Sequence, residues 1–519
     1  MQKWREILLV LLVSTGLTAL SGCRQATKAP PTSVPSFPGL TLRIGALENT
    51  AILAGVTAQR GEWVASRGGE ISIHEPPLSI QSVGEVDILL FPGDRLGELV
   101  DANALAKIPN EMVMPPKPAE SGDGPGEPDR SSGEPKPEDS FLYMDIAPAY
   151  RDQVTRYGND RLALPCGGSA LVLIYRRDAF ERDANVAAAK EKGLKLQAPK
   201  TWNELDALAR FFQGRDWDGD GSPDHGITLV LGSDAEGLGN ATFLARAASL
   251  GQHPDHFSFL FDSERMTPRI DTDPFVEALQ AAIALKASGP PGMETFDADA
   301  ARAAFRAGKV AMLIDRAERF STWSHGKRAG VAPLPGSERV FDPSAKTWVS
   351  PPSRNAPSYL PHGGGWLIGV RRGLSGTQHD AAIDLVKYLA GPECSRSIRA
   401  ERTFSMLPFR ITQMSQGLPD PTSVPDVDTR LWSDAVSRTL LSDRVVPGLR
   451  IPGAAGYLDD LAKGRHVALA GEDARKALEG VARAWTERTK AKGPKRQLWH
   501  YRRSLNLRAT VPEPPEPGT

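Results

Sequence analysis

Short apolar runs of strand length alternate with stretches of helical spacing along most of this chain, and that alternation restricts its fold more than any other feature. Leu42–Leu47, Ile71–His74, Val86–Phe91, Ala170–Tyr175, Ile227–Leu231, Val310–Ile314 and Trp366–Val370 have the length and content of strands. Between them, Thr201 and Glu204 form a capping box ahead of Trp202, Leu205, Leu208, Ala209 and Phe212 at helical spacing. Ala382–Leu389 reads as a second helix, stopped by Gly391 and Pro392, and Asp473 caps a third that carries Leu478, Val481, Ala482 and Trp485 on one face. Such alternation implies an α/β architecture with largely parallel sheets. The 519 residues exceed what one hydrophobic core usually serves, so two lobes are expected.

The N-terminus carries an address. Lys3 and Arg5 precede an apolar run from Ile7 to Leu20, and Leu20, Ser21 and Gly22 lead into Cys23, the pattern of a bacterial lipoprotein signal. The run is short for a hydrocarbon core of roughly 30 Å, which needs about 20 apolar residues. Cleavage before Cys23 leaves it as a lipidated N-terminus, and two acyl chains give stable anchoring. The expected location is therefore exported, with the lipid in the cell membrane or the outer membrane and the protein facing the periplasm or the exterior. Residues 24–39, rich in Pro, Ser, Thr and Ala, read as an extended tether.

A second low-complexity stretch, 112–140, is dense in Pro, Gly, Glu, Asp and Ser and reads as a disordered insertion. From Lys490 the chain reads as a tail, basic at first and proline-rich at its end. A formal net charge of -1 offers no general attraction to nucleic acid or anionic lipid. Once Cys23 is lipidated, Cys166 and Cys394 remain; an exported compartment permits them to pair, but they are far apart in sequence and two free, mostly buried thiols is the plainer reading.

Four stretches carry candidate chemistry. Asp94 and Arg95 follow the strand run ending at Phe91, where open α/β sheets place ligands. A carboxylate there accepts hydrogen bonds from hydroxyls and a guanidinium donates several in a fixed fork; a capping aspartate in a surface ion pair fits the same spacing. Gly167, Gly168 and Ser169 interrupt a strand-like run, as at a bend or a crossover between lobes. Phe305–Ile314 leads into Asp315 and Arg316, with Trp323, Trp348 and Trp366 beyond, rings that either stack on sugar faces or fill a core. Tyr457, in a Pro- and Gly-rich stretch, has the same two readings.

In this order the four stretches resemble the extracellular solute-binding proteins of ABC importers, specifically the family that includes maltose-binding protein. The resemblance runs from Leu40 to about Thr489. Asp94 and Arg95 match the family's sugar-contacting Asp-Arg segment, Gly168–Asp178 its lobe-crossing strand, Pro199–Leu208 its helix start, and Phe305–Ile314 its return to the first lobe. It implies a two-lobed periplasmic-binding-protein-like fold of type II, with lobes joined by hinge crossovers: 40–165 with 300–335 as lobe 1, and 166–299 with 360–489 as lobe 2. Residues 1–22 form the signal, 23–39 the tether, 336–359 a further insertion and 490–519 the tail.

It further implies a monomeric receptor that delivers a small solute, a carbohydrate foremost, to ABC permease subunits. The substrate contacts are expected from Asp94, Arg95, Gly167, Gly168, Ser169, Trp323, Trp366 and Tyr457. Asp315, Arg316, Ala317 and Glu318 stand where the maltose binder has an Asn-Gly-Pro-Trp wall, and Gly456 stands where a tryptophan would neighbour Tyr457. These departures point away from maltodextrin and toward a smaller or more charged solute.

Asp216, Asp218, Asp220, Ser222 and Asp224 surround Gly221 at the spacing of a calcium loop, with Ile227 where the bidentate glutamate would stand. A structural calcium and a solvated acidic turn both fit. No His-Glu-x-x-His, Gly-x-Ser-x-Gly or phosphate loop is present, so no enzyme and no other cofactor is expected. Two alternatives to import remain open: a sensor or structural surface lipoprotein of the same fold, and a surface glycan hydrolase.

Overall fold

The computed structural model describes residues 35–113, 141–323, 328–399, 405–415 and 427–515. The signal segment, Cys23, the tether up to residue 34 and the insertion from Met114 to Ser140 lie outside the described residues. The compact unit begins at Ser36. Phe37 is buried and stacks on Trp63 with ring centroids 6.0 Å apart, so the last tether residues already pack on the body.

Two sheets are built from β1 (Thr41–Leu47), β2 (Glu70–Leu78), β3 (Ile88–Pro92), β4 (Leu164–Gly168), β5 (Leu171–Arg176), β6 (His225–Thr228), β7 (Val310–Arg316), β8 (Ala329–Pro333) and β9 (Gly365–Val370). The first sheet has the order β2-β1-β3-β9-β4 and the second β8-β5-β7-β6. In the first, β2, β1 and β3 run parallel, with Ile44 opposite both Ile73 and Ile88. β9 enters antiparallel between β3 and β4, with Leu367 opposite Phe91 and Trp366 opposite Gly167. In the second, β5 pairs antiparallel with both β8 and β7, and only β6 and β7 run parallel.

The expectation of largely parallel sheets therefore holds for β1 to β3 and for the β6–β7 pair, and fails at β4, β5, β8 and β9. An apolar run shows that a strand is buried, not which way its neighbours run. The lobe boundaries differ for the same reason. β7 and β8, expected to belong to the first lobe, are hydrogen-bonded into the second sheet, while β9, expected in the second, completes the first. The chain leaves the first sheet between β4 and β5 and returns between β8 and β9. That return includes the expected insertion 336–359, which holds a hairpin of Val340–Asp342 and Thr347–Val349.

Helices cover the sheets where their patterns direct. Ile52–Arg67 and Gly376–Leu389 pack beside the first sheet, and Trp202–Phe212 and Ala298–Arg306 on the second. Trp202–Phe212 buries Trp202, Leu205, Leu208, Ala209, Phe211 and Phe212. It starts at the expected capping box: the Glu204 N–H donates to Thr201 Oγ1 at 3.2 Å, and the Thr201 N–H donates to the Glu204 carboxylate at 3.2 Å. A cap of this kind contributes about 1 kcal/mol. Asp473 caps Ala474–Lys492, accepting from the Lys476 N–H at 3.0 Å.

The expected tail begins with a packed helix. Pro494–Ser504 is a helix whose Trp499, His500 and Tyr501 are buried, and Tyr157 donates to the His500 carbonyl at 2.9 Å. Its basic composition hides the few apolar residues that dock it, Leu498, Trp499 and Tyr501. Cys166 and Cys394 are buried free thiols, and burial pushes each up to about 12. No helix among the described residues is long and apolar enough to cross a membrane.

Candidate functional site

The two crossovers and the ends of β3 and β7 meet at one junction, and the polar groups concentrate there. β3 is apolar and buried throughout, and it ends at Pro92 in the turn Gly93–Arg95, which continues as the helix Leu96–Asp101. Gly93 is required by contact: a Cβ there would lie 2.5 Å from the Gly363 carbonyl oxygen. On the return crossover, His362, Gly363, Gly364 and Gly365 all have positive φ, which three glycines adopt without strain. The run holds the His362 ring against both sheets' loops.

Asp94 Oδ1 is buried and has no hydrogen-bond partner among the described residues, while Oδ2 lies 3.8 Å from His362 Nδ1. A guanidinium can only donate, so the 2.6 Å contact from Arg316 Nη1 makes His362 Nε2 an acceptor and places the ring proton on Nδ1, toward Asp94. Arg95 pairs with Glu98 at 3.0 Å and with Glu48. Burial alone would lower its affinity for the proton, but the carboxylates of Glu98, Glu48 and Asp94 leave it raised.

β7 ends in Asp315 and Arg316, both buried. Arg302 grips Asp315 with two hydrogen bonds of 2.8 Å, and the Trp323 Nε1–H donates to the same carboxylate at 2.9 Å. The other edge of Arg302 grips Glu236, again through two bonds, each 2.9 Å. Arg316 also pairs with Glu236, and Arg319 reaches it at 3.3 Å. Burial lowers the Arg316 proton affinity, against the Glu318 carboxylate beside it. For Arg302, burial is outweighed by the hydrogen bond and charge of Asp315, and the result is raised.

The expected contacts divide into two groups. Asp94, Arg95 and Trp366 are brought to the junction; Trp366 is half-buried at the start of β9, opposite Pro92 and Gly167. Ser169 is there too, its Oγ donating to Glu318 at 2.5 Å. Gly167 and Gly168 serve packing: a Cβ on the first would lie 2.1 Å from Met406 Sδ, and on the second 2.3 Å from the Tyr150 hydroxyl oxygen. Trp323 is buried beneath Asp315. Tyr457 is a core residue, bonded to Thr489 at 2.9 Å and set edge-on to Phe261 and Trp485. Glu236, Arg302, Arg319 and His362 were not anticipated. The signal that marks His362 is the His-Gly-Gly-Gly run at 362–365; the other three become its neighbours only through the tertiary fold.

The acidic loop lies apart from this junction. Asp216 accepts from the backbone N–H groups of Gly219, Asp220 and Gly221, and Asp220 accepts from that of Ser222. Asp216, Asp218 and Asp224 each offer an oxygen within 4.8 Å of the others, a donor set suited to calcium. The Lys309 ammonium already stands among them, 3.1 Å from Asp224 and 3.5 Å from Asp218 and paired with Asp220. Any divalent ion must displace it. A cavity of about 1150 Å³ opens elsewhere, between the C-terminal segment and the first lobe. Its Asp101 is matched by Arg496 and its Asp160 by Lys107 and Arg503, so it is a charge-paired packing interface away from the junction.

Comparison with known proteins agrees with this architecture. In solved structures the chain is similar to an ABC transporter solute-binding protein from Agrobacterium radiobacter K84 in complex with ribitol, with TM-score 0.59 and 17% identity over 87% of this chain and 99% of that one. It is similar to a cyclic alpha-maltosyl-1,6-maltose binding protein from Arthrobacter globiformis, with TM-score 0.58 and 18% identity over 88% and 100%. A third is a solute-binding protein from Agrobacterium vitis S4 with bound D-mannitol, with TM-score 0.56 and 18% identity over 87% and 99%. No curated protein sequence matches significantly. These likenesses establish the two-lobed binding-protein fold. The sequence profile of the bacterial extracellular solute-binding proteins matches residues 78–393, more than half of the chain, and this protein belongs to that family.

Proposed function

We propose that the protein captures a small polyhydroxylated solute, a sugar or polyol, at the junction of its two lobes and presents it to the permease of an ABC importer. The observation that carries this reading is Asp94 Oδ1, a buried carboxylate oxygen left without a donor at the carboxyl end of β3. A buried acceptor without a partner costs roughly 1–3 kcal/mol, more when charged, and a solute hydroxyl removes that cost. Arg95 and His362 flank it with donors. Family membership and the sugar- and polyol-bound neighbours support the same class of ligand.

Capture requires differential binding between two lobe arrangements and no covalent step. The lipoprotein signal ending at Cys23 supports a tethered receptor that stays near its permease. A thermal-shift screen of the purified protein against pentoses, hexoses, their alditols and amino acids tests the reading. A true solute at a hundred times its dissociation constant adds about 2.7 kcal/mol. No shift with any sugar or polyol, together with release of product from a glycan, sinks it.

A further inference from the structure

Three guanidiniums converge on one carboxylate at the junction. Arg302 belongs to the helix Ala298–Arg306, Arg316 to the end of β7 and Arg319 to the turn Ala317–Thr322, so each is anchored by a separate element. Their shared partner is Glu236, in the loop between β6 and the helix Leu238–Gly251, with a quarter of its side chain exposed. Of the other carboxylates here, Asp299 is exposed at 3.4 Å from Arg302, and Asp234 accepts from the Glu236 backbone N–H at 3.0 Å. Asp315 is fully buried under Arg302 and Trp323, and Glu318 is buried against Ser169, 3.9 Å from Arg316 Nε. Among the described residues, Arg319 has no ion-pair partner but Glu236, and Arg316 Nε has no hydrogen-bond partner.

A guanidinium keeps its charge at any physiological pH and matches a carboxylate through a bidentate fork. A solute entering here therefore meets fixed cations whose countercharge sits on a loop side chain. On the far side of His362 stands Asp94, whose free oxygen seeks a hydroxyl. One imidazole separates the two groups, since His362 touches Arg316 through Nε2 and faces Asp94 through Nδ1.

Resting on the solute-capture reading, we infer that the solute is an anionic monosaccharide of the uronate or aldonate class, whose carboxylate replaces Glu236 on Arg316 and Arg319 while its hydroxyls donate to Asp94. Glu236 is the internal stand-in for the ligand's acid. It keeps the arginine cradle neutralised when no solute is bound, and it swings out on its loop when one arrives.

Isothermal titration with D-glucuronate and D-gluconate against D-glucose and D-sorbitol tests the inference. At least one acid is expected to bind at least about tenfold more tightly than its neutral counterpart, the scale of a hydrogen bond to a charged group. Arg319→Ala, whose side chain is two-fifths exposed, is expected to melt as the parent does and to lose that preference. Glu236→Gln is expected to tighten acid binding, because the solute's carboxylate then displaces no charged competitor. Equal or tighter binding of the neutral sugars overturns the anionic assignment and leaves the receptor reading standing. An acid preference that survives Arg319→Ala also overturns it, because the cradle is then not the acid's site. Failure of every sugar, charged or neutral, to bind overturns the receptor reading itself.

Discussion

Asp94 and Glu236 are both carboxylates at the lobe junction, yet their surroundings give them opposite tasks. Glu236 has more donors than it needs and neutralises a cradle; Asp94 has a buried oxygen with none. Since that oxygen makes no bond in the protein and its burial costs stability, Asp94→Ala is expected to melt at or above the temperature of the parent. It should weaken solute binding at least about tenfold, the 1.5–3 kcal/mol typical of hydrogen bonds to a charged group. Thermal melts and titration calorimetry on parent and variant check the two halves, and unchanged affinity would remove Asp94 from the site. The Asp-Arg pair was legible because it follows a buried run at the carboxyl end of a strand. Trp323 and Tyr457 were not separable from ligand platforms, since an aromatic residue carries the same sequence signal whether it faces a cleft or the Asp315 carboxylate.

Among elements, the loop Asp216–Asp224 and the helix Pro494–Ser504 show how far a local pattern reaches. The loop has the turn geometry its spacing predicts, but its cation is Lys309, ninety residues away in sequence, which no window around Gly221 contains. With the ammonium in place, the melting temperature in excess EDTA should equal that in millimolar calcium. Lys309→Met, which leaves the buried Asp224 carboxylate unpaired, should melt lower and be restored by calcium. A parent protein that loses stability in EDTA would show instead that calcium displaces the lysine.

The C-terminal helix is tied down by His500, whose Nε2 lies 2.9 Å from Asp101. Burial holds its imidazole below the usual range even though the Asp101 carboxylate raises it. The unfolded chain therefore takes up the proton first as the pH falls. Stability present above a pH of about 6.5 is lost below it. Melting temperature against pH should fall less steeply between neutral pH and pH 5 for His500→Gln than for the parent, and identical slopes would exclude His500 as the cause. Composition concealed this helix, because Lys495, Arg496, Arg502 and Arg503 outnumber the apolar residues that dock it.

For the whole molecule, the alternation of strands and helices made the α/β class and the two lobes readable. Lobe membership was not, because β7 and β9 are apolar runs that fit either sheet, and only the crossover paths decide between them. The junction those paths create brings β3, β7, the loop at Glu236 and the glycine run after His362 to one place, which is why capture is assigned there. Amide hydrogen exchange of the complete protein, with and without saturating solute, tests that assignment directly. The account predicts slowed exchange at Asp94 and Arg95 and at Gly363–Gly365, with the cavity beneath the C-terminal segment unchanged. Protection confined to that cavity, or to the core around Tyr457, would contradict it.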